Sequence, residues 1–149
     1  MQDTHKLYID RLRASGIRPT QQRIIISKIL FNRPETFHFT IVNLKEIVEK
    51  NTKGKISLAT IYNTVHAFKK SGFLKEVSLG NNKSFFDTNT KNHHHFYDEE
   101  TSKLIDVENE NVCLTNIPKA PSGKKISGIE ITIRIASSNQ SQKIIKSNK

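Results

Sequence analysis

At Gly72 the hydrophobic period of the chain changes, and few folds accept the change in this order. Upstream, Ser57 stands where a helix cap is wanted, and Leu58, Ile61, Val65 and Phe68 follow at steps of three, four and three. That spacing predicts a helix over 58–71 with one apolar stripe, and it turns Ala59, Thr60, Asn63, Ala67 and Lys70 outward. Gly72 supplies the left-handed residue that closes such a helix. Downstream, F-L-K-E-V-S-L-G-N-N-K-S-F-F-D alternates in twos about Gly80-Asn81-Asn82, residue types that accept positive φ in a tight turn. A helix feeding directly into a β-hairpin is expected.

Three more helical signals precede it. Residues 4–14 place Leu7 or Tyr8, then Leu12, on one side of a short helix that Gly16 ends. Arg18-Pro19-Thr20 reads as a turn and a cap for a second helix, Gln21 to Phe31. The run Ile24-Ile25-Ile26 also suits a strand, but the cap and turn favour helix. Asn32-Arg33-Pro34 stops it. Thr40 caps a third helix over 41–50, with Ile41, Leu44, Ile47 and Val48 apolar, and Lys53-Gly54-Lys55 makes a basic turn before Ser57. Helices followed by a hairpin is the order of a winged helix-turn-helix, although a small α+β domain with a solvated outer face would read alike. Charge separates the two. The formal net charge is +10, and residues 1–88 carry 15 Lys+Arg against 7 Asp+Glu, while residues 89–149 carry 9 against 7. The first half therefore meets a polyanion, nucleic acid before an anionic membrane surface.

The stretch from Phe85 to Asp106 holds three of the six histidines, together with Asp87, Asp98, Glu99, Glu100 and Asp106. If residues 92–97 form a strand, His93 and His95 share one face and His94 takes the other. Two imidazoles and one or two carboxylates suit a borderline divalent ion such as iron, manganese or zinc. A polar loop with three solvated histidines is the bland alternative, and composition alone leaves metal or haem binding level with it. After the histidines, Lys103–Val107 reads as a strand, Asn111–Ile117 as a short helix and Pro118–Gly123 as a connector. Ile126–Ala136 alternates strictly, with Ile129, Ile131, Ile133 and Ile135 on one face and Glu130, Thr132 and Arg134 on the other. So apolar a face is expected to be buried against a helix or a second subunit. The polar, low-complexity tail from Ser137 is expected to be disordered.

Cys113 is the single cysteine, so no internal disulfide and no thiolate zinc cage can form. No apolar run approaches the ~20 residues of a membrane span, and the N-terminus lacks the apolar core of a signal peptide. A cytoplasmic protein without a membrane partner is expected.

G-I-R-P-T-Q-Q-R at 16–23, I-S-L-A-T-I-Y-N-T-V at 56–65 and F-D-T-N-T-K-N-H-H-H-F-Y at 86–97 resemble the ferric uptake regulator family, over residues 5 to 136. The histidine run and the F-D-T-N before it resemble more narrowly the family's iron response regulator branch. The resemblance implies an α+β fold: an N-terminal winged helix-turn-helix domain over 1–88, a small C-terminal α/β domain over 89–136 for dimerisation and metal or haem sensing, and a tail over 137–149. It puts the regulatory metal ligands on His38, Asp87, His93, His95 and Asp106, for Fe²⁺ or Mn²⁺ with Zn²⁺ as an in vitro occupant. On its own, His38 between Phe37 and Phe39 would be read as a surface histidine. The branch implies His93, His94 and His95 as haem candidates. The chain departs from the family at the structural zinc, which two C-x-x-C pairs hold. Asp98 and Thr101 occupy the first pair and Cys113 has no neighbour, so no four-cysteine zinc is expected. A second family site would need a histidine late in the chain, and none follows His95.

The function implied is that of a dimeric, iron-responsive transcriptional regulator of iron homeostasis and haem metabolism, not an enzyme, bound to A·T-rich palindromic duplex DNA. Helix 58–71 would enter the major groove, where the resemblance gives Tyr62 a base contact, apt for a thymine methyl. Thr60 and Asn63 face base edges, and Arg18, Arg23, Lys53 and Lys55 hold phosphates. A peroxide-sensing regulator of the same family is the alternative. A non-haem iron enzyme with two histidines and a carboxylate leaves the basic half unexplained.

Overall fold

In the computed structural model, which describes residues 3–138, each of the first four α-helices starts at a side chain that satisfies a backbone amide. Asp3 accepts from His5 at α1 (Thr4–Ala14), and Thr20 from Arg23 at α2 (Gln21–Phe31). Thr40 accepts from Asn43 at α3 (Ile41–Thr52), and Ser57 from Thr60 at α4 (Leu58–Lys70). Such caps satisfy amides that the helix itself leaves unpaired.

The chain falls into two units, Met1–Thr90 and Lys91–Lys149. In the first, Tyr8 and Leu12 of α1 meet Ile24, Ile26 and Leu30 of α2, Leu44 and Val48 of α3, and Ile61, Val65 and Phe68 of α4 in one core. Burying each such side chain contributes about 1.5–3 kcal/mol. Between α3 and α4, Lys53 takes the left-handed region at φ 52. There the Glu49 carboxylate accepts from Lys45 Nζ at 2.8 Å and from the Ile56 amide at 3.1 Å. The turn before α4 is thereby tied to α3.

A three-stranded sheet of order β1-β3-β2 completes this unit. β2 (Lys75–Gly80) and β3 (Lys83–Asp87) meet at Asn81 and Asn82, both at positive φ, so the Gly-Asn-Asn signal produces the expected hairpin, here with a two-residue turn. β1 (His38–Phe39) lies antiparallel on β3 with His38 opposite Asp87 and Phe39 opposite Phe86. The Phe39 and Phe86 rings stack at 5.8 Å in the core. The second unit is a sheet of order β5-β4-β6, with β4 (His93–Asp98) antiparallel to β5 (Lys103–Glu108) and parallel to β6 (Thr132–Ile135). Asp98 closes the β4–β5 turn, its carboxylate accepting from the amides of Glu100 at 2.9 Å and Thr101 at 3.2 Å.

Helix and hairpin positions follow the sequence pattern closely, and four expectations fail. Leu58 is exposed, because Ile61, Thr64, Val65 and Phe68 centre the buried face of α4. At about 100° per residue Leu58 lies roughly 70° off that centre. Ala67, expected outward, packs partly against the core. No helix forms over 111–117; a single 3₁₀ turn at Asn109–Asn111 precedes irregular chain, with Asn116 at positive φ and Pro118 just beyond. The isoleucine strand is limited to Thr132–Ile135, since residues 126–129 run past the start of β4 and meet no neighbouring strand. Ile126 and Ile129 are consequently exposed, and Ile133, although paired within β6, is exposed too. The expected disordered tail falls, from residue 139 on, outside the described residues. Among those described, no helix is long and apolar enough to cross a membrane.

Candidate metal donors and nucleic-acid face

His93 and His95 stand two residues apart on β4 and so share a face of the sheet. Their Nε2 atoms are 2.9 Å apart, and Asp106 Oδ1, from the residue opposite His95 on β5, lies 3.3 Å from the first and 3.4 Å from the second. Donors bound at about 2.1 Å to one ion stand roughly 3.0–3.4 Å from their neighbours, so this cluster has the spacing of a coordination shell. The Nδ1 of His93 meets the Lys91 carbonyl at 2.7 Å. A carbonyl only accepts, so Nδ1 carries the proton and Nε2 keeps its lone pair for a cation. Both imidazoles are buried.

The first unit holds a second, smaller donor set. The register of β1 on β3 brings His38 Nε2 to 3.2 Å from Asp87 Oδ2. Asp87 is fully buried, and its Oδ1 accepts from the Asn89 amide at 2.7 Å. A buried carboxylate needs hydrogen bonds and positive charge around it, and a divalent ion would supply the charge.

His94 points the other way, as the strand alternation requires, and is buried to 3% exposure. Its Nδ1 accepts from the Ile131 amide at 3.1 Å, which pins the entry to β6. As haem candidates the three histidines are thus already committed differently, His93 and His95 to each other and Asp106, His94 to the sheet. At the family's zinc position stands the Asp98 turn described above, and the exposed Cys113 cannot by itself build a thiolate cage.

The outward face of α4 carries Tyr62, 51% exposed, and the exposed Asn63. Thr60, expected to reach a base edge, is half-buried and shares a hydrogen bond of 2.7 Å with the Ser57 hydroxyl. Its hydroxyl is part of the cap. Lys53 and Lys55 are exposed in the turn that leads into α4. Arg18 is exposed, whereas Arg23 donates from Nη1 to the Arg18 carbonyl at 2.9 Å and so also fastens the α1–α2 turn. Lys69 is paired with Glu76. That hydrogen bond, with lesser help from Ser84, holds the Glu76 carboxyl below its ordinary range against the effect of burial. Strand β1 and the Lys91 carbonyl escaped the sequence reading. The Phe37-His38-Phe39 alternation is too short to be decisive, and a backbone acceptor leaves no residue signature.

Residues 14–134 match the model of the Ferric uptake regulator family. Over 100 residues the chain is 37% identical to the Peroxide-responsive repressor PerR of Staphylococcus aureus strain Mu50, a match covering 67% of this chain and 66% of that protein. The match therefore falls just short of two thirds of the curated relative's length. The ferric uptake regulator of Vibrio cholerae has a similar structure, with TM-score 0.64 and 20% identity over 87% of this chain and 98% of the other. That of Helicobacter pylori, described as having three functional metal binding sites, gives TM-score 0.64 and 13% identity over 93% and 95%. At these identities the likeness is one of fold: α+β, helix-turn-helix and hairpin first, small sheet second. The chain belongs to the ferric uptake regulator family.

Proposed function

We propose that this chain is a metal-responsive, DNA-binding transcriptional regulator, acting as a homodimer in the cytoplasm, with Fe²⁺ or Mn²⁺ held by His38, Asp87, His93, His95 and Asp106. The observation that carries the proposal is the pair of donor sets, each with ligand-shell spacing and each steadied by a backbone group, the Lys91 carbonyl or the Asn89 amide. Asp87 and His93 are six residues apart, a tether of at most about 20 Å, so one ion can draw ligands from both sets. Three imidazoles and two carboxylates suit iron and manganese, with zinc as a competitor. When bound, the ion would supply positive charge that offsets the carboxylates of Asp87 and Asp106. Tyr62 then reads a base through α4, Asn63 a base edge, and Arg18, Lys53 and Lys55 the phosphates, with Arg23 holding the turn that carries Arg18. The exposed Ile129 and Ile133 offer a second copy an apolar face.

Selection of duplexes from a random pool by the Mn²⁺-loaded chain tests this. Enrichment of a two-fold symmetric sequence, abolished by chelation, is expected; equal retention of all sequences with and without Mn²⁺ would overturn it.

The signal has two readings. The resemblance to the iron response regulator branch points to iron supply, and the name of the Staphylococcus aureus relative points to peroxide. Mass spectrometry of the Fe²⁺-loaded chain after peroxide separates them: a one-oxygen gain on His38 or His93 favours peroxide, and unmodified histidines favour iron supply.

A further inference from the structure

His66 is the one histidine of the first unit, apart from His38, that lies among folded side chains, and nothing above gives it a role. It stands one helical turn after Tyr62 on α4. The two rings lie 4.1 Å apart, centroid to centroid, with their planes 36° from parallel. His66 also meets Phe86 in a T-shaped arrangement, at 5.8 Å and 78°. Phe86 is buried in the core and stacked on Phe39. A chain of ring contacts therefore runs from the half-exposed Tyr62 through half-buried His66 to the buried Phe86. Spacing of four residues alone makes neighbours of two side chains on a helix, but it does not align their rings.

A tyrosine that contacts a base must be held in one rotamer, and each rotamer-rich side chain immobilised on binding costs affinity. Tyr62 has open solvent on its outer side, so its restraint has to come from behind. We propose that His66 is the positioning residue of the recognition helix, its ring holding Tyr62 in the pose that discriminates between base sequences. The proposal rests on the DNA-binding reading above and goes beyond it. Because the brace is a ring contact, an aromatic replacement should serve where an aliphatic one does not. Glu76 of β2 interacts with His66 only through the field and is itself paired with Lys69, so the hold on Tyr62 is assigned to ring contact and not to charge.

The test uses the full Mn²⁺-loaded chain, the duplex it selects from a random pool, and a scrambled duplex of equal composition. His66→Ala should lower the ratio of selected to scrambled affinity about three- to tenfold, the scale of one aromatic pair, and leave scrambled affinity unchanged. His66→Phe should restore the ratio to within twofold. Equal losses on both duplexes, an unchanged ratio in His66→Ala, or no rescue by His66→Phe would each overturn the inference alone. Failure of the unaltered chain to select any duplex would overturn the DNA-binding reading, and this inference with it. Should His66→Ala not fold, ring-to-ring nuclear Overhauser contacts between Tyr62 and His66 in the unaltered chain decide: their presence supports the brace, their absence refutes it.

Discussion

Replacing His94 and His93 in turn separates two jobs that adjacent, chemically identical residues perform. His94 gives its Nδ1 to the Ile131 amide at 3.1 Å. In His94→Ala that amide loses its acceptor beside a buried strand, a penalty of about 1–3 kcal/mol before lost ring packing is counted. For a chain of 149 residues, at about 4 °C per kcal/mol, the melting temperature should fall by roughly 4–12 °C. Mn²⁺ affinity should stay within a few-fold, because His94 faces away from Asp106. His93→Ala instead deletes a donor whose lone pair is aimed by the Lys91 carbonyl. Losing even an outer-shell partner typically costs about 10–100-fold in metal affinity, so losing the donor should cost more than about 100-fold. Anaerobic titration calorimetry with Mn²⁺ and scanning calorimetry on both variants supply the two numbers. Equal loss of Mn²⁺ affinity in both, or an unshifted melting temperature in His94→Ala, would refute the division of roles.

Ser57→Ala removes the cap of α4 and should cost about 1 kcal/mol by denaturant unfolding, with a smaller loss in Ser57→Asp. Replacing both Lys53 and Lys55 with Ala should weaken binding to every duplex alike and flatten the slope of log affinity against log salt by about 2. Acid titration of stability should show a late fall. The carboxyls of Glu49, through the Lys45 hydrogen bond, and Asp98, through the Thr101 amide, are held below their ordinary range. Their contribution is full above the unfolded-state values near about 4 and is lost as pH drops through the lower folded-state values. Glu49→Gln should therefore show a shallower fall below about pH 4, with the curve above pH 5 nearly parallel to that of the unaltered chain.

How far the sequence reveals this molecule depends on whether the interaction is local. Caps at Thr20, Thr40 and Ser57 and the turn at Asn81-Asn82 are set within four residues, and all form as the pattern implies. The opposed faces of His93 and His94 follow from strand alternation alone. What depends on distant partners was hidden. The placing of His38 against Asp87 requires the register of β1, a two-residue strand with no pattern of its own. The isoleucine repeat at 126–136 has strand propensity over eleven residues, yet pairing reaches only Thr132–Ile135, where β4 lies alongside. Leu58 failed for a geometric reason: a stripe read at steps of three and four spans a wide arc, and only packing tells its centre from its edge. The Thr60 hydroxyl was free by sequence and is occupied by the cap that the same sequence supplies.

Stoichiometric Mn²⁺ titration of the unaltered chain beside His38→Ala and His95→Ala bears most directly on the central proposal, that His38, Asp87, His93, His95 and Asp106 hold one ion. One ion per chain is expected at the site, with both substitutions weakening that same ion by more than about 100-fold although they lie in different units. If His38→Ala leaves the ion of His93, His95 and Asp106 bound with unchanged affinity, the two sets do not share it, and the proposed link between metal and DNA reading fails.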